Sequence, residues 1–196
     1  MFVLPEGLPL ELTPFAFLVG KWSGSGLISY QSKTSKIEQQ FNQTIEFSHD
    51  DQPFLSYVAK SQLADGTSLP TEIGFWRLAK SPEGSDSGPG LLPGTGEKVL
   101  ASHEQLETLS NKDGGFDIEA SILHPSGVSE LYIGQIKGAR VDLSTDAVMR
   151  SSSAKEYVAA TRMFGLVDGS LLWAWDMAAL GNPLASHASA KLERVE

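Results

Sequence analysis

Cysteine is absent from this chain of 196 residues. Its absence excludes disulfides, thiolate nucleophiles, structural zinc–thiolate sites and iron–sulfur clusters. Basic residues are also scarce, with 15 lysines and arginines against 24 aspartates and glutamates, so the formal net charge is −9. Because phosphate neutralisation needs clustered lysine and arginine, we do not expect nucleic acid to be a partner.

Long hydrophobic runs are missing as well. No apolar stretch approaches the roughly 20 residues that cross a bilayer as a helix. Residues 1–7 lack the basic region and the long apolar core of a signal peptide. These features predict a cytoplasmic protein with no membrane partner.

Helical periodicity is nearly absent, since only residues 10–18 favour a helix, with Thr13 as N-cap and Pro14 in the first turn. Most of the remaining chain alternates apolar and polar residues with period two, which is typical of strands buried on one face. The pattern predicts about ten antiparallel strands, drawn from eleven candidate segments near residues 22–30, 37–47, 54–63, 72–78, 98–108, 116–122, 128–136, 141–149, 156–167, 170–178 and 188–195.

Strands joined by short turns, without alternating helices, close most simply as an all-β up-and-down barrel, and a sandwich is the rival architecture. Residues 80–96 interrupt the alternation because they are rich in glycine, proline and serine. We interpret them as a flexible surface loop inserted into one domain that spans residues 1–196, since strands of the same style continue after it.

The first strand carries a spaced motif of Gly20, Trp22, Gly24 and Gly26. One interpretation is structural, with glycines allowing tight curvature and the tryptophan closing the bottom of the barrel. The other is that glycines at every second position leave room for a bulky group on one face. The motif indicates the fold more strongly than it indicates the ligand.

Four histidines are candidates for chemistry. The pattern places His49 in a surface turn, His103 in the middle of a solvated strand and His124 at a strand end that turns. His187 differs, because it follows the turn Gly181-Asn182-Pro183 and is flanked by small residues that would let a flat group approach. A neutral imidazole suits iron, so His187 is the candidate metal ligand.

Other catalytic patterns are weak or missing. The sequence shows no nucleophile elbow at a strand-to-helix turn, no certifiable pair of catalytic acids and no histidine pair spaced as zinc ligands. Trp173, Trp175 and Met177 share one strand face, and barrel core is the stronger interpretation for them than a cofactor site.

Several segments together resemble the nitrobindin family of haem-binding barrels, whose shape is that of lipocalins and fatty-acid-binding proteins. The resemblance covers nearly the whole chain, and its C-terminal block is the most specific part. The matching segments are Gly20-x-Trp22-x-Gly24-x-Gly26, Phe47-Ser48-His49 through Tyr57, Glu72-x-Gly74-Phe75-Trp76-Arg77, His124-Pro125-Ser126-Gly127-Val128-x-Glu130, Ala154-Lys155-Glu156 and Met177-Ala178-Ala179-x-Gly181-Asn182-Pro183-Leu184-x-x-His187.

This resemblance implies a ferric haem b, one per chain, at the barrel mouth, with His187 as the axial iron ligand. It implies reversible binding of nitric oxide and isomerisation of peroxynitrite to nitrate, with a homodimer as one assembly the chain could form. It also makes Lys155 a candidate contact to a haem propionate, and Thr34 a candidate for the family's haem-contacting threonine.

Two other functions stay open at this point. The same barrel could carry a fatty acid or another apolar ligand without iron, or it could be an interaction module that uses residues 80–96 as its contact surface. In the first case Leu69-Pro70, which stand where the family often has a histidine, would fit an apolar ligand. The loop at 80–96 is expected beside the barrel mouth, either covering the site or lying outside it.

Overall fold

The computed structural model describes residues 7–31, 35–81, 83–86, 88–92, 94–95 and 100–195. Within them the chain forms ten antiparallel strands in a single closed barrel. The strands are β1 (Gly20–Gln31), β2 (Lys36–Ser48), β3 (Phe54–Leu63), β4 (Glu72–Leu78), β5 (Phe116–His124), β6 (Val128–Lys137), β7 (Arg140–Arg150), β8 (Tyr157–Val167), β9 (Ser170–Ala179) and β10 (Ala185–Arg194).

Each strand pairs with its sequence neighbours, and β1 pairs with β10 to close the sheet. The predicted up-and-down barrel is therefore confirmed, and the sandwich alternative is wrong. Closure follows from the alternation in sequence, because period-two strands put every second side chain inside and closure leaves no unpaired edge.

The bottom of the barrel is closed by a short 3₁₀ helix, Leu10–Phe15, and by Trp22 on β1. The indole Nε1 of Trp22 donates to the carbonyl oxygen of Leu18 over 2.7 Å, and the guanidinium of Arg194 stacks on the indole face. The helix was predicted over residues 10–18, but it ends at Phe15 and its N-cap differs from the predicted one. It begins at Leu10 with Pro9 at the N-cap, so the prediction of Thr13 as N-cap is wrong.

The predicted strand at residues 98–108 is wrong. The described part of this segment contains a short helix, α1 (His103–Glu107), and the side chain of Ser102 caps it by accepting from the backbone N–H of Gln105. His103 is exposed at the start of this helix and not in a strand. Among the described residues, no helix is long and apolar enough to cross a membrane.

The glycine motif of β1 lies away from the barrel's internal cavity, since none of its four residues lines that cavity. A Cβ on Gly24 would overlap with the carbonyl oxygen of Lys191 on β10, and a Cβ on Gly26 would lie 2.6 Å from Cζ of Phe41. Gly24 and Gly26 thus allow close packing of β1 against β10 and Phe41, and the interpretation that the glycines leave room for a ligand stays a prediction.

Candidate functional site

A cavity of about 470 Å³ lies inside the barrel near one end, and we call it the mouth cavity. It lies at the end of the barrel where β1 ends, beside the turns that join β3 to β4, β5 to β6, β7 to β8 and β9 to β10. Most of its wall is apolar or aromatic, with Ile28, Phe41, Trp173, Trp175, Met177 and Ala188 among its lining residues. Ligand sites in barrels have this character, a mostly apolar wall with a few placed polar groups.

The connection between β4 and β5 runs at the other end of the barrel. It leaves after Leu78 and returns at Phe116, whereas the mouth lies at the opposite ends of these two strands, at Glu72 and His124. Among the described residues of the 80–96 stretch, none lines the mouth cavity, which agrees with the alternative that the loop lies outside the site.

A β-bulge on β10 directs His187 into the mouth cavity. Ser186 pairs with Asp176 and Ala188 pairs with Trp175, so His187 is the extra residue between two consecutive partners on β9. Ala188, Ala190 and Leu192 face the interior. Strict alternation would therefore place His187 outside, and the bulge re-aims its side chain inward, as bulges next to ligand sites often do.

The imidazole of His187 is half-buried and uncommitted at Nδ1. Among the described residues, this buried atom has no hydrogen-bond partner. The ring packs edge-on against Trp175, with centroids 5.1 Å apart and an interplanar angle of 85°. Burial lowers the pKa of His187, and the nearby backbone of Ser29 partly opposes that effect. The imidazole is therefore neutral at pH 7, which is the state that binds a metal.

Lys155 and Thr34 are the other two residues predicted to contact the cofactor. Lys155 lies in the turn between β7 and β8, where it is exposed at the rim of the mouth cavity. Thr34 lies outside the described residues. Leu69 and Pro70 both line the cavity, so this part of its wall is apolar.

In contact with the apolar wall lies a buried cluster of charged and phenolic side chains, which we call the ionic cluster. Its centre is Arg162 on β8, whose Nη1 and Nη2 donate to both carboxylate oxygens of Glu72 over 2.7 and 2.9 Å. The guanidinium also stacks on the indole of Trp175, 4.2 Å from the ring centroid. The cluster consists of Glu72, His124, Glu130, Tyr132, Tyr157, Arg162 and Tyr57.

Glu130 is the second carboxylate of the ionic cluster and is almost fully buried. It accepts from the hydroxyls of Tyr132 and Tyr157, from Nε2 of His124 over 2.6 Å and from Arg162 over 3.5 Å. Desolvation opposes ionisation of both carboxyls, but the pKa of Glu72 is nevertheless lowered to about 2, chiefly by Arg162. The pKa of Glu130 is lowered by His124, Arg162 and the two tyrosines, so both groups are anions at pH 7.

His124 is the cavity residue that the sequence reasoning missed. It ends β5 and its carbonyl accepts from Gly127, so the predicted turn exists, but its side chain faces the mouth cavity and belongs to the ionic cluster. Glu130 and Arg162 carried a usable signal, because each shares strand parity with apolar residues that face inward. Opposite charges at core positions on different strands indicate a buried ion pair.

Trp173, Trp175 and Met177 line the mouth cavity, and Trp173 is also part of the core. The indole Nε1 of Trp173 donates to Oε1 of Gln43 over 2.7 Å, while Nε1 of Trp175 has no partner among the described residues. Core and cavity wall are thus the same surface on this strand. The distinction made from the sequence, between barrel core and cofactor site, therefore does not separate these residues.

A closed barrel with an apolar cavity, entered by one neutral imidazole and walled by tryptophans, belongs to the class of cofactor-binding β-barrels. Such a cavity fits a flat apolar group whose metal takes the imidazole, because His187 brings a partnerless buried nitrogen to it. Among the described residues, no group of three or more His, Asp and Glu side chains is placed to hold a bare metal ion.

Comparison with known proteins agrees with the assignment to cofactor-binding β-barrels. Residues 11–194 match the model of the THAP4-like, heme-binding beta-barrel domain, and the chain belongs to this family. This confirms the resemblance to nitrobindins. A protein named peroxynitrite isomerase from Clavibacter michiganensis is 48% identical, with 100% of each chain covered. Another of that name from Kocuria rhizophila is 50% identical, covering 98% of this chain and 95% of its own.

A solved structure gives the same fold. The crystal structure of Rv2717c from M. tuberculosis matches 99% of this chain and 100% of its own, with a TM-score of 0.68 and 24% sequence identity. This likeness concerns the barrel alone.

Proposed function

We propose that this protein is a haem-dependent peroxynitrite isomerase that converts peroxynitrite to nitrate. In this proposal one ferric haem b per chain would be held in the mouth cavity by His187, and its iron would supply a site that binds nitric oxide reversibly. Relatives 48–50% identical over almost their full lengths carry the name of this activity, and the family is haem-binding.

The observation that carries the proposal is the placement of His187. A bulge directs the imidazole into an apolar cavity, burial keeps it neutral, and its Nδ1 is free of any described partner. An imidazole without a ligand has no reason to be left unpartnered there, since a buried polar atom without a hydrogen bond is costly. A metal bound to the ring would remove this cost.

The remaining residues position the cofactor and keep the cavity dry. Trp175 packs against the edge of the His187 ring and fixes its orientation. With a cofactor bound, the mostly apolar walls would limit the access of water, which would strengthen electrostatic interactions in the cavity. Lys155 at the rim is placed to neutralise a carboxylate at the cavity entrance, as a propionate contact requires. When bound, ferric haem would supply a Lewis-acidic iron with one position open to a small ligand.

The haem-free carrier is less well supported. Arg162 is not available to a fatty-acid carboxylate, because both of its terminal nitrogens are already engaged by Glu72, and among the described lining residues Lys155 at the rim is the lysine left for such a group. Releasing the guanidinium would leave Glu72 buried and unpaired, which is strongly unfavourable. Native mass spectrometry of protein purified from cells separates the two functions, since a bound lipid without porphyrin would favour the carrier.

The activity is tested by mixing peroxynitrite with the haem-loaded protein in a stopped-flow instrument. We expect faster decay of peroxynitrite than with the haem-free protein, and a higher yield of nitrate relative to nitrite. Free haemin at the same concentration is the control for chemistry of the cofactor alone. Decay and product ratio equal to those of free haemin would contradict the proposal.

Several finer features remain predictions with their own measurements. The haem type and stoichiometry follow from a pyridine haemochrome assay with protein quantification. Nitric oxide binding is read from the shift of the Soret band under anaerobic addition. Cell fractionation tests the expected cytoplasmic location, and light scattering after size exclusion tests whether a homodimer forms.

A further inference from the structure

Arg162, Trp175 and Ala188 form a row across three neighbouring strands. Arg162 on β8 is the register partner of Trp175 on β9, and Trp175 is the register partner of Ala188 on β10. Side chains that lie directly opposite each other on one face of a sheet are in contact distance. All three residues line the mouth cavity. The row therefore connects the centre of the ionic cluster to the strand that carries His187.

The β-bulge leaves the orientation of His187 to side-chain contacts. In the register of β9 and β10, His187 has no partner of its own, because it is the extra residue between Ser186 and Ala188. Such a residue is not fixed by the ladder as its neighbours are. Among the described residues, Trp175 is the aromatic ring that contacts the imidazole. Ala188, which pairs with Trp175, has only a methyl side chain and does not block this contact.

The indole of Trp175 is itself held by the ionic cluster. The guanidinium carbon of Arg162 lies over the indole, 4.2 Å from the ring centroid. Both terminal nitrogens of this guanidinium donate to Glu72, and its Nε donates to the hydroxyl of Tyr132 over 3.0 Å. The guanidinium is therefore fixed in place, and its planar shape matches the flat face of the indole. Trp175 thus contacts both a fixed cation and the imidazole of His187.

Stability alone does not account for the ion pair between Arg162 and Glu72. The side chain of Arg162 is 2% exposed and that of Glu72 is 12% exposed, so both charges are largely removed from water. The free energy of this desolvation is comparable to the attraction gained, and apolar residues of similar volume often give an equally stable fold. What the pair adds is a fixed geometry, because the guanidinium binds both oxygens of one carboxylate.

We propose that Arg162 is a positioning residue for the axial ligand. Held by Glu72, its guanidinium fixes the indole of Trp175, and the indole restricts the His187 imidazole to the orientation that presents it to the mouth cavity. This inference rests on the proposed function, because it gives that orientation a purpose in holding the cofactor. The ionic cluster then supports the site from β4 and β8, across the sheet from β10.

The mobility of the His187 ring in the haem-free protein tests the positioning directly. Arg162→Met combined with Glu72→Gln removes both charges of the pair together, so neither is left buried and unpaired. Arg194→Met is the matched control, because Arg194 stacks on the indole of Trp22 at the same 4.2 Å but at the closed end of the barrel.

The measurement is the line width of the ¹³Cε1 signal of His187 at pH 8, where the imidazole is neutral. We expect one sharp signal in wild type and in Arg194→Met, and a signal at least about twofold broader in the double variant, since the ring then exchanges between orientations. If the double variant does not fold, Arg162→Lys replaces it, because an ammonium neutralises Glu72 but lacks the flat face. An exchanging ring in wild type, or an unchanged line width in the folded variant, would overturn the inference.

Haem affinity gives the second test, through a double-mutant cycle. With His187 present, Arg162→Met/Glu72→Gln should weaken haem binding about tenfold, as is typical of residues that orient a metal ligand. In His187→Gly, with free imidazole supplied in solution as the iron ligand, the same pair of substitutions should change haem affinity less than about twofold, because no tethered ring is left to position. An equal loss in both backgrounds would show that Arg162 acts on the cavity as a whole and would refute a role through His187.

The two levels of inference can fail separately. If haem-loaded wild-type protein does not accelerate peroxynitrite decay, the proposed function is wrong, and the line width in the haem-free protein still decides whether Arg162 restricts the His187 ring. If wild type is active but the folded Arg162→Met/Glu72→Gln variant binds haem as tightly as wild type, the function stands and the positioning role of Arg162 is wrong.

Discussion

The imidazole of His187 meets the indole of Trp175 edge-on, with ring centroids 5.1 Å apart. The contact exists because β10 carries one residue more than β9 between the pairs Ser186–Asp176 and Ala188–Trp175. The bulge therefore decides whether this barrel presents an imidazole to its cavity.

Deleting Ser186 should remove the bulge and turn His187 outward. His187 would then pair with Asp176, at a position whose side chain faces outside, while Ala188 keeps its partner Trp175. We expect the circular dichroism of the barrel to be retained and haem binding to be lost. Deletion of Leu184, in the turn between β9 and β10, is the control, because it leaves the bulge in place. Retained haem affinity in the Ser186 deletion would show that the bulge is irrelevant.

Haem affinity should depend on pH through His187. Burial lowers the pKa of this imidazole below its ordinary value of 6.5, so protons compete with iron only in more acidic solution than for an exposed histidine. Affinity should be constant from pH 8 to 6.5 and should fall below that range. Haemin titrations monitored at the Soret band measure it. A fall that begins above pH 6.5 would contradict a buried, neutral ligand.

Lys155→Ala should weaken haem binding about two- to fivefold, because an exposed ion pair contributes little in water. The difference from wild type should shrink at high salt, where surface charges are screened. Lys60→Ala is the matched control, since Lys60 is exposed on β3 and does not line the cavity. An equal effect of both substitutions would show that Lys155 acts only through net charge.

Glu72→Gln should weaken the dependence of the free energy of unfolding on pH in acidic solution. The pKa of Glu72 is lowered from 4.5 to about 2, so its ionisation stabilises the fold above pH 4.5 and this contribution is lost as the pH falls toward 2. The contribution is on the order of 3 kcal/mol. Urea unfolding between pH 7 and pH 2.5 measures it, with exposed Glu46→Gln as the control. A slope identical to wild type would show that Glu72 is not ionised in the fold.

Gly24→Ala should destabilise the barrel by about 2 kcal/mol or more, because the added Cβ would overlap with the Lys191 carbonyl oxygen. Ser25→Ala on the exposed face of the same strand should stay within about 0.5 kcal/mol of wild type. Chemical unfolding of the haem-free proteins makes the comparison. If haem affinity fell without any loss of stability, the glycine would instead be part of the ligand site.

Much of the fold could be predicted because strand alternation is local and strong. The exception, residues 98–108, shows the limit of parity arguments. Leu100 and Leu106 are both buried and have strand parity. A helical turn is favoured instead, because Ser102 accepts from the backbone N–H of Gln105, and the side chain of Gln105 accepts from the backbone N–H of Ala101. The pair Ser102 and Gln105 is a helix start signal that strand periodicity obscured.

The site was harder to predict because it depends on breaks in alternation and on distant partners. Regular period two would have put His187 outside, and what identified it was the turn before it, its small neighbours and the resemblance to a family. His124 looks like a turn residue in sequence, since its partners Glu72 and Glu130 come from other strands. Their meeting depends on strand register in the closed sheet, which a single sequence does not specify.

The most direct test of the account is a haemin titration of wild-type protein and His187→Ala, followed by absorption at the Soret band. His103→Ala, changed on exposed helix α1, serves as the matched control. We predict a sharp, saturable Soret band at one haem per chain for wild type and for the control, and a loss of affinity of at least about 100-fold for His187→Ala. Undiminished haem affinity in His187→Ala would contradict the assignment of this residue as the iron ligand.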